Sequence, residues 1–191
     1  MTGETPQAQP GGRAPAPGSL ALVQAFLNTH YDLEFEHGAE VWSSPKAYAG
    51  WLRARGLIDA GDDVSAAEHG RALRVRTALR ALAAANGEAT ETLQELTDAG
   101  RGARVEIRFT PGGPAFAADG SAASAVGLVL ALAAQAMRDG NWERLKICPG
   151  RDCGWAFYDH SRNSSGRWCS MAICGGREKA RAHYRRRRGG T

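Results

Sequence analysis

An α+β protein is what this 191-residue sequence predicts, and three observations predict it. Apolar residues recur at helical spacing through most of residues 20–137, one stretch at 105–109 alternates apolar and charged residues as a strand does, and all four cysteines fall after residue 147. The expected architecture is a mainly helical N-terminal domain with one β-hairpin, followed by a small cysteine-rich module.

Each element has its own justification. Residues 1–18 are rich in Pro, Gly, Ala and polar side chains, carry no hydrophobic period, and predict a disordered leader. Leu20, Leu22, Val23, Phe26 and Leu27 mark one face of a helix that fades at Asn28-Thr29-His30. Ser43-Ser44-Pro45 predicts the start of a second helix, with Tyr48, Trp51 and Leu52 on its apolar face and Gly56 as its stop. Residues 65–85 predict a long helix on which Ala72, Val75, Leu79 and Leu82 keep the spacing, while Arg71, Arg74, Arg76 and Arg80 lie mostly off that stripe and read as a solvated face.

A short helix is expected over 91–99. Val105, Ile107 and Phe109 give the alternating strand, Pro111-Gly-Gly-Pro114 turns the chain, and a second strand is expected around 115–118. Residues 121–137 are apolar around most of a helical circumference and predict the buried central helix, too short and too rich in Ala and Gly to span a membrane. A boundary falls at 140–146, where Trp142 and Leu145 are expected to dock the terminal module onto the body. The domain reading is therefore a leader at 1–18, a helical domain at 19–140 and a terminal module at 141–191.

Charge divides the chain at the same place. Residues 148–191 carry ten Arg/Lys against three Asp/Glu, a net of +7 in a chain of net +4, which leaves −3 for the body. Such a split points to a basic tail that meets a polyanion. No apolar run is long enough for a membrane span, and the N-terminus lacks a basic region followed by an apolar one, so a cytoplasmic protein with no membrane partner is expected.

The cysteines form two C-x4-C pairs, Cys148 with Cys153 and Cys169 with Cys174. In a reducing compartment, paired cysteines separated by a short hairpin are better explained by a tetrahedral Zn2+ site than by disulfides; two disulfides or four inert thiols are the alternatives. Between the pairs, 155–158 reads as a strand, 161–166 as a turn, and 167–168 as the return; after Cys174 a Gly-Gly pair leads into a helix over 178–188. Knuckle, hairpin and helix in this order predict a treble-clef-like zinc finger. Four Cys ligands close the tetrahedron, so the single Zn2+ would be structural. His160 and His183 read as surface or phosphate-contacting residues, and Trp155, Phe157 and Trp168 as the small core of the module rather than stacking platforms.

On the terminal helix Arg177, Arg181, Arg185 and Arg188 recur on one stripe, with Ile173, Ala180 and Tyr184 on the face expected to pack on the hairpin. Arg162, Asn163 and Arg167 add donors at the turn, of the types that pair with guanine and adenine edges. Lys179, Arg186 and Arg187 are expected on phosphates, which position without specifying sequence. These ten residues are the candidate DNA-binding set.

The segment 157–182, FYDHSRNSSGRWCSMAICGGREKARA, closely resembles the CGNR zinc-finger family, whose hallmark is a cysteine quartet with SRN, RWCSM and CGNR segments; with its flanks the resemblance covers about 145–188. One departure stands out. Where the family has Asn between Gly and Arg, this chain has Gly176, so whatever that Asn side chain touches has no counterpart here and looser geometry around Cys174 is expected. The N-terminal part resembles the ABATE domain in Leu22 to Thr29, ending Leu27-Asn28-Thr29, in Trp51-Leu52 and in the Arg-rich helix from Arg71. The resemblance implies a bacterial, stress-linked transcription regulator with a DNA-binding finger.

Three function classes follow. The leading expectation is a zinc-dependent regulator of transcription whose finger binds double-stranded DNA and whose body senses a small-molecule or protein effector or forms a homodimer. The alternative is a zinc-stabilised module that contacts an acidic protein. An enzyme is not expected: the chain has no H-E-x-x-H, G-x-S-x-G, P-loop or deaminase signature, and His30, His37 and His69 are scattered.

Overall fold

The computed structural model describes residues 8–31, 39–85 and 90–188. His37, residues 1–7 of the expected leader and 189–191 lie outside the described residues. In chain order the elements are α1 (Leu20–Leu27), β1 (His30–Tyr31), β2 (Ala39–Glu40), α2 (Pro45–Arg53), α3 (Ala66–Ala84), α4 (Thr90–Gly100), β3 (Glu106–Thr110), β4 (Gly113–Ala117), α5 (Ala122–Arg138), β5 (Leu145–Ile147), β6 (Ala156–Tyr158) and α6 (Gly176–Arg188). The fold is α+β, mainly helical, with a cysteine cluster near the C-terminus.

The helix starts follow the local chemistry. Ser44 Oγ accepts from the Ala47 amide with Pro45 just inside α2, and Ser65 and Glu68 form a reciprocal capping box at α3. Ser121 caps α5, whose buried face includes Ala125, Val126, Val129, Leu132 and Ala133. Helices α1, α2, α3 and α5 share one apolar core, in which the rings of Phe26, Tyr48 and Trp51 lie 4.8, 4.6 and 5.2 Å from that of Trp42. Trp142 and Leu145 are buried in this same core, so the chain leaving the body is anchored where the sequence places the docking residues. At Gly127 a Cβ would come within 2.3 Å of the Arg104 carbonyl, so the missing side chain lets the segment ahead of β3 cross directly over α5.

Four expectations are corrected. The described residues hold three two-stranded antiparallel sheets: β3–β4 is the hairpin expected in the body, and β1–β2 and β5–β6 stand beside it. Two- and three-residue strands are too short to display alternation. The strand at 156–158 pairs backwards with β5, across the first cysteine pair, and 159–170 contains no second strand.

The arginines of α3 are not a solvated face. Arg76 is buried and gives both terminal nitrogens to Glu40, at 2.8 and 2.5 Å, and one to Thr29 Oγ1 at 3.0 Å. Arg71 caps the end of α4 through the Ala99 carbonyl, and Arg80 donates to Leu27 O at 2.9 Å and Gly154 O at 2.7 Å; among the four only Arg74 is exposed. Helical spacing misses this because a guanidinium reaches across a neighbouring helix to carbonyls left bare at its end.

The leader, expected without structure, is placed over 8–18. Ala16 is buried, its amide donating to Gln24 Oε1 at 2.7 Å, and Gln24 Nε2 donates to Gln9 Oε1. Finally, α6 buries none of its residues: Tyr184 is 66% exposed and Ile173 38%, so the face expected to pack on the hairpin is open.

Candidate metal centre and basic helix

The first cysteine pair sits at the tip of the β5–β6 hairpin. The Cys148 amide donates to Trp155 O at 2.8 Å and the Cys153 amide to Gly150 O at 3.1 Å, folding 148–153 into a knuckle. A Cβ on Gly150 would lie 3.3–3.5 Å from Cys153 Cβ and the sulfurs of Cys148 and Cys174, so glycine lets the loop close around the thiols. The second pair is set by a wide helical turn, Met171–Gly175, started by Ser170 Oγ accepting from the Ile173 amide. Cys174 thus stands two residues before Gly176, where α6 begins.

All four Sγ atoms lie within 4.8 Å of one another, with Cys153 to Cys169 at 3.5 Å and Cys169 to Cys174 at 3.6 Å. A disulfide would need about 2 Å. Four sulfurs at about 2.3 Å from a common ion stand roughly 3.8 Å apart, which these distances approach. Electrostatics makes the same demand. Hydrogen bonds from Cys153 and Cys169 draw the Cys148 thiol down to about 2, while the bond to Cys148 pushes Cys153 up to about 12 and Cys169 higher still; burial raises Cys174. Four thiolates this close cannot coexist without a cation between them. The residues fit one structural Zn2+ held by Cys148, Cys153, Cys169 and Cys174.

The walls of the centre come from both halves of the chain. Trp155 and Phe157 are buried against the cysteines, as expected of core aromatics, and Tyr31 from the body meets Trp155 edge-on at 4.7 Å. Arg13 reaches in from the leader. Its guanidinium donates to the carbonyls of Cys169 (2.9 Å), Trp168 (3.2 Å) and Tyr158 (3.3 Å) and lies 5.0 Å from the Phe157 ring centre. Asn28 is fully buried and treats Ala156 as a strand partner would, donating to its carbonyl at 2.8 Å and accepting from its amide at 2.7 Å. Leu27-Asn28-Thr29 is therefore an interface segment: Leu27 takes Arg80, Asn28 holds β6, and Thr29 takes Arg76.

Sequence reasoning also missed the support of the turn. The Asp159 carboxylate is buried and receives Lys146 Nζ at 2.9 Å and the amides of Ser161 and Gly166 at 3.0 and 2.6 Å. Burial alone would raise its pKa, yet the Lys146 ammonium and these donors hold it far below the usual carboxylate range. Lys146 also donates to Ser164 O and Gly166 O, and Arg144 to the carbonyls of Asp159 and Ser161. The only signal in the sequence was an Asp directly after a strand and before a polar turn, which is common to many loops.

The candidate DNA-binding residues fall into two groups. Arg162, Asn163 and Arg167 are exposed on the loop braced by Asp159, with Arg167 over the Trp168 ring at 4.9 Å. Arg177, Lys179, Arg185, Arg186, Arg187 and Arg188 are exposed on α6. Arg181 differs: it is paired with Glu178 at 2.6 Å and with Asp152 in the knuckle, tying α6 to the metal loop. His160 Nε2 donates to the leader carbonyls of Ala14 and Pro15, at 3.2 and 3.0 Å, so the cysteines are the metal-binding cluster among the described residues. At Gly176 the helix is regular and a Cβ would meet only the Met171 carbonyl, at 3.6 Å, so the departure from Asn leaves space rather than distorting Cys174.

Among curated proteins none matches this chain. Residues 144–187 match the CGNR zinc-finger family, which spans both cysteine pairs and most of α6. Residues 20–139 match the family described as "ABATE: Putative stress-induced transcription regulator", from the first residue of α1 to the residue just after α5. With the interface segment, the buried arginines and the four-cysteine centre all falling inside these two spans, the chain belongs to the ABATE family and carries a C-terminal CGNR zinc finger.

Proposed function

We propose that this zinc-binding regulator binds double-stranded DNA through its finger, that the Zn2+ is structural, and that the helical body senses a signal or dimerises. The observation that carries the reading is the end of α6. Arg185, Arg186, Arg187 and Arg188 are consecutive, exposed and, among the described residues, in no ion pair. Four adjacent guanidinium groups repel one another and are stabilised by an external polyanion. On this reading Arg185, Arg186, Arg187, Arg188, Arg177 and Lys179 hold phosphates, and Arg162, Asn163 and Arg167 reach base edges from the braced loop. A closed four-thiolate site leaves no coordination position for an activated water, which favours a non-catalytic role. The same reading puts the regulator in the cytoplasm, where a reducing medium keeps four thiols free for metal. No helix among the described residues is long and apolar enough to cross a membrane. A groove of about 330 Å3 between the β3–β4 hairpin and α5, lined by Phe116, Ala131, Ala134 and Arg138, is where a small effector would fit.

The test is a salt titration of duplex binding with the zinc-loaded chain. Log K should fall with log salt at about −0.9 per phosphate contacted. A flat titration, or no binding to any duplex at low salt, removes this reading.

A second reading has its own observation: Met171 (56% exposed), Ile173 and Tyr184 give the finger an apolar surface beside the basic helix, as contact with an acidic protein requires. A complex that survives nuclease digestion favours it.

A further inference from the structure

The β3–β4 hairpin presents an edge with a defined pattern. In its ladder Phe109 lies opposite Pro114, and proline has no N–H, so this is not a pair that exchanges two backbone hydrogen bonds. The hydrogen-bonded pairs are then Thr110–Gly113, Arg108–Ala115 and Glu106–Ala117, and the amides and carbonyls of Ile107 and Phe109 point outward from β3. The opposite edge is guarded, since β4 carries Pro114 and lies beside α5. Strand β3 is exposed along its whole length, with Phe109 86% and Ile107 61% open. A free strand edge bearing large apolar side chains is a template for another strand.

Charge identifies the occupant. Around Ile107 the strand reads Val105-Glu106-Ile107-Arg108-Phe109. An antiparallel copy centred on Ile107 sets Glu106 opposite Arg108 and Val105 opposite Phe109, each twice by the two-fold axis. Glu106 and Arg108 already pair at 2.7 Å within one chain, and both are exposed, so the copy completes an alternating row of four charges on one face. Val105, Ile107 and Phe109, with Phe116 opposite Ile107, form the apolar face of both copies. We propose that two copies of this chain join through antiparallel pairing of β3 with β3, making a four-stranded sheet that presents two fingers. Only the use of two fingers on one DNA rests on the reading above; the pairing stands on the hairpin.

Sedimentation of the full chain without DNA tests the pairing separately from DNA binding. The wild type should show a concentration-dependent dimer. Ile107→Pro removes an outward N–H that β4 does not use and should abolish the dimer while leaving zinc content and far-UV circular dichroism unchanged. Glu106→Arg and Arg108→Glu each set like charges opposite one another at two places and should weaken self-association by about tenfold. Mixing these two variants restores opposite charges at both places, so the mixture should dimerise more tightly than either variant alone, an outcome that misfolding cannot imitate. A wild type that stays monomeric at about millimolar concentration, where even weak pairing would be populated, overturns the proposal. So does a folded Ile107→Pro variant that dimerises as tightly, or a mixture no tighter than its components.

Discussion

Helix α3 carries four arginines and α6 carries six, yet three of the four on α3 end on oxygens of the protein while most of those on α6 end in solvent. The difference is position relative to the apolar core. Helix α3 crosses that core, so its arginines can reach the bared carbonyls of α1 and α4, the carboxylate of Glu40 and the Gly154 carbonyl of the finger. Burial and the nearby Arg76 pull Arg80 down to about 10, which still leaves it charged at neutral pH. Helix α6 has no core to cross. It is tied at its start by Arg181 to Asp152 and is free beyond, so its remaining cations are available to a partner. One side-chain type therefore joins the body to itself and to the finger, and in the other helix faces outward.

Breaking the finger gives the largest effect. Cys169→Ala should drop metal content from one Zn2+ per chain toward none and open 148–174 to proteolysis, because metal binding in such sites is worth about 10 kcal/mol or more. If the variant keeps its zinc and its protease resistance, the four-thiolate reading fails. Next in size is the buried cation of α3. Arg76→Leu strands Glu40 and should lower urea stability by about 3 kcal/mol, whereas Arg74→Ala should change it by no more than about 0.5 kcal/mol.

Acid sharpens this contrast. Burial works to raise the Glu40 pKa, but Arg76, the Trp42 amide and His30 lower it overall, so its folded value lies below the unfolded one near 4.5. The pair therefore contributes fully above that unfolded value and is lost as pH falls through the folded one. The stability difference between wild type and Arg76→Leu should be constant from neutral pH to about pH 5 and shrink below it; urea midpoints at stepped pH measure this.

Asn28→Ala leaves the buried amide of Ala156 without its acceptor, while the carbonyl keeps only Gln24 Nε2 at 3.1 Å, and should cost about 2 kcal/mol, seen first as faster hydrogen exchange at Ala156. The smallest stability effect belongs to α6. Replacing Arg185, Arg186, Arg187 and Arg188 by Ala should move the unfolding midpoint within about 0.5 kcal/mol, yet flatten the salt slope of duplex binding by about 0.9 for each phosphate no longer neutralised. A large loss of stability here would place α6 with α3 and end the contrast.

Much of this was legible from residue order. Ser44-Pro45, the Ser65–Glu68 box and Ser121 announced three helix starts because capping is local chemistry. The two C-x4-C pairs announced the metal centre because ligand spacing is local too. The roles of Arg76, Arg80, Asn28 and Arg13 were not legible. Their partners lie far away in sequence, from 36 residues for Arg76 and Glu40 to 156 for Arg13 and Cys169, and no periodicity encodes such a distance.

By itself, then, the sequence determined the helical body, the β3–β4 hairpin, the four zinc ligands and the basic tail, since spacing, caps and composition act over a few residues. Tertiary structure alone decided which arginines turn inside the protein, how residues 8–18 and Leu27-Asn28-Thr29 hold the finger, and which edge of the hairpin stays open. Those outcomes depend on which buried carbonyls, amides and carboxylates lack a partner once the helices have packed, and that is settled only when distant segments meet.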